Sequence, residues 1–281
     1  MALDLANAPF LNGGSSTYLC AVVSNAFMAD IPKLHSFQTV VSQKIVPPDL
    51  PSPFLCTPPE LAQMAAKQLQ EYLKTQTEWQ HNFGLGRHLE GKEIGKMFGV
   101  LAVQSTQDDI GFLAAFSGKL AGGNHHSYFV PPVYDSLKED GFLNQGMLKL
   151  SGMSKEIKTL QAEAKLDVNA IKELKLRRKA TSVGLQRELF DNYHFLNAKG
   201  ETQTPWDIFK YYTDKMPPSG VGECAAPKLF QYAFQNNLKP LAIAEFWWGK
   251  PTKSENQKHI QYYPACKEKC GPLLKYMLDG V

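Results

Sequence analysis

The chain lacks any apolar run long enough to cross a bilayer as a helix. Its longest, Lys239 to Trp248, falls far short of the ~20 residues required. Met1 to Asn12 has no basic region, and the mixed apolar stretch Ser16 to Met28 lacks basic flanks; no secretory leader and no membrane partner are expected. Cysteine is sparse and odd in number: Cys20, Cys56, Cys224, Cys266 and Cys270, in 281 residues. That pattern argues against a disulfide framework and for free or metal-bound thiols in a reducing compartment, so a cytoplasmic protein is expected. A dominant charge of one sign is also missing. The formal net charge is +3, so a nucleic-acid partner must be argued from a local patch. There is no internal repeat and no low-complexity tract.

What remains is ordinary globular composition, with 43% hydrophobic and 20% charged residues, enough for one large domain or two modest ones. Residues 1–59 are punctuated by Pro47-Pro48, Pro51, Pro53 and Pro58-Pro59. They read as an irregular arm with one short strand, Tyr18 to Val23. From Glu60 to about Trp79, Ala62, Ala65, Ala66, Leu69, Tyr72 and Leu73 keep helical spacing, with Thr57 as a cap. Met97 to Gln104 and Ile110 to Ser117 flank a polar turn and predict a buried hairpin.

From Leu148 to about Leu196 the pattern changes. Leu150, Met153, Ile157, Leu160, Ala164, Val168, Ile171 and Leu174 recur at three-and-four spacing, the seam of a coiled coil or helical hairpin. A helix at Cys224 to Asn236, a strand at Pro240 to Trp248 and a helix from about Pro264 to Leu278 follow. The expected architecture is α/β: a mixed sheet with flanking helices. Residues 60–135 and 219–281 form its two parts, 136–218 an inserted helical arm, and 1–59 an amino-terminal arm.

Several runs resemble a known family: Gly95–Leu101 (GKMFGVL), Gly111–Leu120 (GFLAAFSGKL), Phe129–Asp135 (FVPPVYD) and Tyr193–Gly200 (YHFLNAKG). The most specific are Gly222–Leu229 (GECAAPKL), Ala244–Gly249 (AEFWWG) and Tyr263–Cys266 (YPAC). In order, from about Pro48 onward, they are similar to the long amino-terminal extension of bacterial RluA-family RNA pseudouridine synthases. That resemblance implies an RNA-modification context. The catalytic domain of those enzymes carries an aspartate in an Arg-Leu-Asp motif, which this chain lacks. The nearest string, Lys165-Leu166-Asp167, falls in the charged arm with no strand before it, and Asp167 is not expected to be catalytic. The expectation is a stand-alone or truncated accessory module that binds RNA or an RNA-modifying enzyme and lacks pseudouridine synthase chemistry.

The element order helix, strand, strand, helix, strand, helix also resembles the cytidine-deaminase-like fold. There, a zinc ligand opens the second core helix, two cysteines open the third, and a glutamate two residues after the first ligand moves protons. Cys224 here opens the second helix, and Cys266 and Cys270 open the third. A helix amino terminus favours the thiolate that a metal needs, and positions i and i+4 share a face. Zn²⁺ held by Cys224, Cys266 and Cys270 is therefore one reading; three thiols packed as small apolar groups is the other. Two departures from the deaminase pattern stand out. The second pair is C-x-x-x-C, and Ala226 occupies the glutamate position, leaving Glu223 as a displaced acid/base.

Lys172, Lys175, Arg177, Arg178 and Lys179 form a cluster that can follow RNA phosphates or simply be a solvated helix face. Trp247 and Trp248 can stack on bases where exposed, or fill the core. His125-His126 read as a turn. Three functions stay open: RNA-binding accessory module, zinc-dependent deaminase-like hydrolase, and coiled-coil scaffold that dimerises through its arm.

Overall fold

A computed structural model describes residues 32–86, 90–138, 141–162, 167–252 and 257–281. The expected strand Tyr18 to Val23 and Cys20 lie outside them. The first long element is a helix, α1 (Glu60–Thr75). Its buried stripe, Leu61, Ala62, Ala65, Ala66, Leu69 and Leu73, repeats at helical spacing, and three alanines keep the axis close to the sheet. It stops at Thr75, short of the expected Trp79, because Gln76 adopts extended backbone at φ −61°, ψ 148°. Trp79 then turns onto Phe83 and Phe129. The expected cap is also displaced: Pro59 holds the N-cap position, without a side-chain bond.

The sheet has five strands: β1 (His35–Ser36), β2 (Lys96–Gln104), β3 (Ile110–Phe116), β6 (Lys239–Trp248) and β7 (Tyr262–Tyr263). Their order is β1-β3-β2-β6-β7. β2 and β3 form the expected hairpin, in register from Phe98↔Phe116 to Gln104↔Ile110. Its turn is closed by the Ser105 hydroxyl, which accepts from the N–H groups of Gln107 and Asp109. β6 pairs with the other edge of β2, from Lys96↔Trp248 to Gln104↔Lys239, with a bulge at Ala102/Val103.

A mixed sheet was expected, but every pairing among the described strands is antiparallel. The reason is topological. β2 is central, and both the hairpin partner and the returning strand run against it, so the mutually parallel β3 and β6 never touch.

Burial on both faces explains why β2 reads as a continuous apolar run. Phe98, Val100 and Ala102 point to the α1 side, whereas Leu101 and Val103 point to the other. That second face is covered by α5 (Ala225–Gln235) and α6 (Cys270–Met277).

Between β3 and α5 the chain makes helices α2 (Phe142–Ala162) and α3 (Val168–Asp191). They pack through Leu150, Met153, Ile157, Ile171 and Leu174. At their root a Cβ on Gly146 would lie 2.2 Å from Leu185, so only glycine permits that approach. Val168, expected in the seam, is 62% exposed. The Asp167 carboxylate accepts from the Ala170 N–H at 2.9 Å and caps α3. Past Asp191 the chain rejoins the body through β4 (Phe195–Leu196), β5 (Thr202–Gln203) and α4 (Pro205–Thr213). Phe190, Tyr193, Phe195, Ile208 and Phe209 enter the core beneath α5. Among the described residues, no helix is long and apolar enough to cross a membrane.

Candidate metal centre

Cys224 is the N-cap residue of α5, in extended backbone. The turn that delivers it is pinned to the sheet by the Gly118 N–H, which donates to the Glu223 carbonyl at 2.8 Å. Cys270 is the first residue of α6. Contrary to expectation, Cys266 does not open that helix. The backbone leaves β7 through Pro264 and turns across 267–269, so the helix starts four residues later. The i, i+4 relation survives: the Cys270 N–H donates to the Cys266 carbonyl at 3.1 Å.

The three sulfurs lie within 4.8 Å of one another, with Cys270 buried, Cys224 half-buried and Cys266 exposed. A tetrahedral ion ~2.3 Å from each sulfur sets ligand edges near ~3.8 Å. The cluster fits Zn²⁺ after a contraction of at most ~1 Å. The described residues supply three ligands, and the exposed side of Cys266 leaves room for a fourth from solvent.

Without a metal, the three thiols share protons unequally. Hydrogen bonds from the Cys224 and Cys270 thiols, joined by the backbone N–H groups of Cys270 and Lys269, hold the Cys266 thiol far below its usual range. Donating to that sulfur pushes Cys224 and Cys270 upward, and burial adds to it. The most accessible sulfur is thus the one whose ionised form is most favoured, near the amino-terminal ends of two helices whose dipoles favour negative charge.

Glu223, the acid expected beside the thiols, is engaged elsewhere. Its carboxylate accepts from the Tyr193 hydroxyl and lies 3.7 Å from the Lys228 ammonium. Lys228 is buried and donates to the Phe116 carbonyl at 3.1 Å.

The carboxylate at the thiols is Glu245, which sequence reading passed over. It is 7% exposed on β6, paired across the sheet with Gly99. A Cβ on Gly99 would sit 2.8 Å from that of Ala225, so glycine there lets the start of α5 settle beside Glu245. Burial raises the Glu245 carboxyl from 4.5 to about 7, against the Ala226 N–H it accepts from. The Cys266 charge adds to the rise, which places the carboxylate within electrostatic reach of the cluster and outside its ligand set. The signal was available: an acid inside an otherwise apolar strand needs a reason to be there.

The remaining expected residues lie apart from the cluster. Trp247 and Trp248 are 7% and 3% exposed. The Trp247 indole donates to the Lys250 carbonyl, and Trp248 packs on Phe246 and His259. Both fill the core, and the stacking role expected of them lacks free ring faces. His125 pairs with Asp135 at 3.1 Å and His126 bonds to the Leu120 carbonyl, in a turn away from the thiols. Cys56 is exposed and outside the cluster. Lys172, Lys175, Arg177, Arg178 and Lys179 all lie on α3. No family model, curated protein or solved structure matches the chain.

Proposed function

We propose that the chain is a zinc-dependent hydrolase of the deaminase-like kind. Cys224, Cys266 and Cys270 hold the ion, and Glu245 carries the proton. The observation behind this reading is the convergence of three thiols and one buried carboxylate at the amino-terminal ends of α5 and α6. The order α1-β2-β3-α5-β6-α6, with the arm inserted before α5, supports the same reading.

Zinc, when bound by Cys224, Cys266 and Cys270, would supply an acidified water and a Lewis acid. The residues of the chain do the rest. The three sulfurs fix the ion, and the helix ends stabilise their charge. Ala226 stands where the deaminase pattern has its proton-carrying glutamate, yet its N–H is the donor to the Glu245 carboxylate. A buried carboxylate thus approaches the start of α5 from strand β6 rather than from the helix. In a deamination, Glu245 takes a proton from water as oxygen bonds to the amine-bearing carbon. It then delivers that proton to the departing nitrogen, which leaves as ammonia.

Protein purified without added metal should contain about one zinc per chain, lost on Cys266→Ala. Ammonia release from amine-bearing nucleobases should vanish in Glu245→Gln while zinc stays. Metal-free protein, or Glu245→Gln as active as the parent, overturns the reading. The accessory-module reading, an RNA-binding helper without chemistry of its own, draws on the cationic face of α3 and needs no zinc.

A further inference from the structure

The five expected cations of α3 are not equivalent. Lys175, Arg178 and Lys179 line a groove between α2 and α3. Lys158 joins them from α2, a residue the cluster in the sequence does not include, with Ser154, Ile157, Gln161, Ser182 and Val183 completing the wall. Lys172 and Arg177 are not among its lining residues. The groove is shallow and open to solvent, with a volume of about 450 Å³.

Two features separate it from a solvated charged face. Among the described residues no carboxylate lines it, and none pairs with Lys158, Lys175, Arg178 or Lys179. A surface helix pair usually interleaves its charges for solubility and stability. Here Glu156 and Glu173 belong to the same helices yet stay out of the groove. In addition, Arg178 is held in place, its Nε donating to the Ser154 hydroxyl at 2.8 Å. An immobilised guanidinium loses less freedom on binding than a free one.

We infer that this groove binds the phosphodiester backbone of a nucleic-acid strand and makes that strand the substrate of the site formed by Cys224, Cys266, Cys270 and Glu245. Lys175 and Lys179 stand one helical turn apart, ~6 Å along the axis, so successive cations can meet successive phosphates. Ile157 and Val183 add apolar surface to the lining. Four cations spread along two helices suit a strand that carries a charge at every unit, and an acidic peptide is the competing ligand in the test.

The helix itself connects groove to site. α3 runs from the groove to Asp191, and the chain then reaches Tyr193, whose hydroxyl donates to Glu223 beside Cys224. Roughly 24 Å of helix separates Lys175 from Asp191. The groove therefore grips the strand several nucleotides from the reacting base. The role assigned to the strand rests on the hydrolase reading; binding in the groove does not.

The test is binding of the full chain to fluorescent single-stranded RNA and DNA 20-mers and to an oligoglutamate peptide, from 50 to 200 mM salt. Four phosphate contacts on a single strand give a log–log salt slope near −2.8, about a 50-fold loss over that range. Lys158→Gln with Lys179→Gln should reduce the slope by about 1.4 and leave the Arg178 bond intact. Thermal melting and zinc content should match the parent. Comparison of RNA with DNA identifies the strand. No binding at 50 mM salt, an unchanged slope in the double variant, or tighter binding of the peptide overturns the inference. Strand binding without zinc leaves the groove standing and sinks the hydrolase reading. Zinc and ammonia release without strand binding does the reverse. Ammonia release from a mononucleotide should be equal in parent and double variant; a drop there counts against a remote groove.

Discussion

Replacing Glu245 with glutamine separates its chemistry from its effect on stability. The carboxyl is raised from 4.5 to about 7 in the folded chain, so the unfolded chain releases this proton first as pH increases. The sign follows: the group favours folding below about pH 4.5, and that contribution is lost as pH rises toward 7. At ~1.36 kcal/mol per unit, a shift of this size disfavours the ionised folded form by about 3 kcal/mol at pH 8. Glutamine has nearly the same shape, carries no charge and keeps an oxygen to accept the Ala226 N–H.

In chelator-treated protein, Glu245→Gln should therefore exceed the parent in stability by about 2–3 kcal/mol at pH 8 and match it near pH 4.5. Urea titrations at several pH values give this difference directly. Added zinc should shrink the gap, because a cation beside the carboxylate favours its ionised form. The same variant should lose about 10²- to 10⁴-fold in turnover, the usual effect of removing a general acid/base, while retaining zinc. A stability difference independent of pH would refute the burial argument. Unaltered turnover would refute the proton-carrying role.

Three further outcomes follow from the geometry. Zinc affinity should fall as pH drops, because the Cys224 and Cys270 thiols, both pushed upward, must release protons to bind; titration calorimetry in buffers of different ionisation enthalpy counts them. Gly99→Val places a side chain where Ala225 and Leu229 already stand, and should cost about 1–3 kcal/mol by denaturant melting with loss of zinc retention. Asp167→Ala removes the cap of α3 and should cost about 0.5–2 kcal/mol, read by hydrogen exchange in the first turn of that helix, with turnover unaltered.

Much of the scaffold was legible because burial imposes period. The stripe of α1 and the seam residues Leu150, Met153, Ile157, Ile171 and Leu174 each face one partner surface and keep helical spacing, whereas β2, β3 and β6, packed on both faces, read as continuous apolar runs. The positions of Cys224 and Cys270 at helix starts were readable from local patterns. Glu223 and Glu245 show where such reading stops. Adjacency in the chain favoured Glu223, whose carboxylate is drawn to Tyr193 and Lys228, residues close only in space.

The amino-acid sequence alone determined the elements, the three thiols and the cations of α3, because these depend on residue type and short-range spacing. Only the tertiary structure decided that β2 lies between β3 and β6 in an antiparallel sheet, that the sulfurs converge, and that Lys158 completes a groove lined by no acid among the described residues. It also placed Glu245 beside Ala226, across 18 intervening positions of chain. Contacts of this kind arise when separate segments are packed together, and their closing distances are fixed by the sheet and by the glycine that lets α5 approach it.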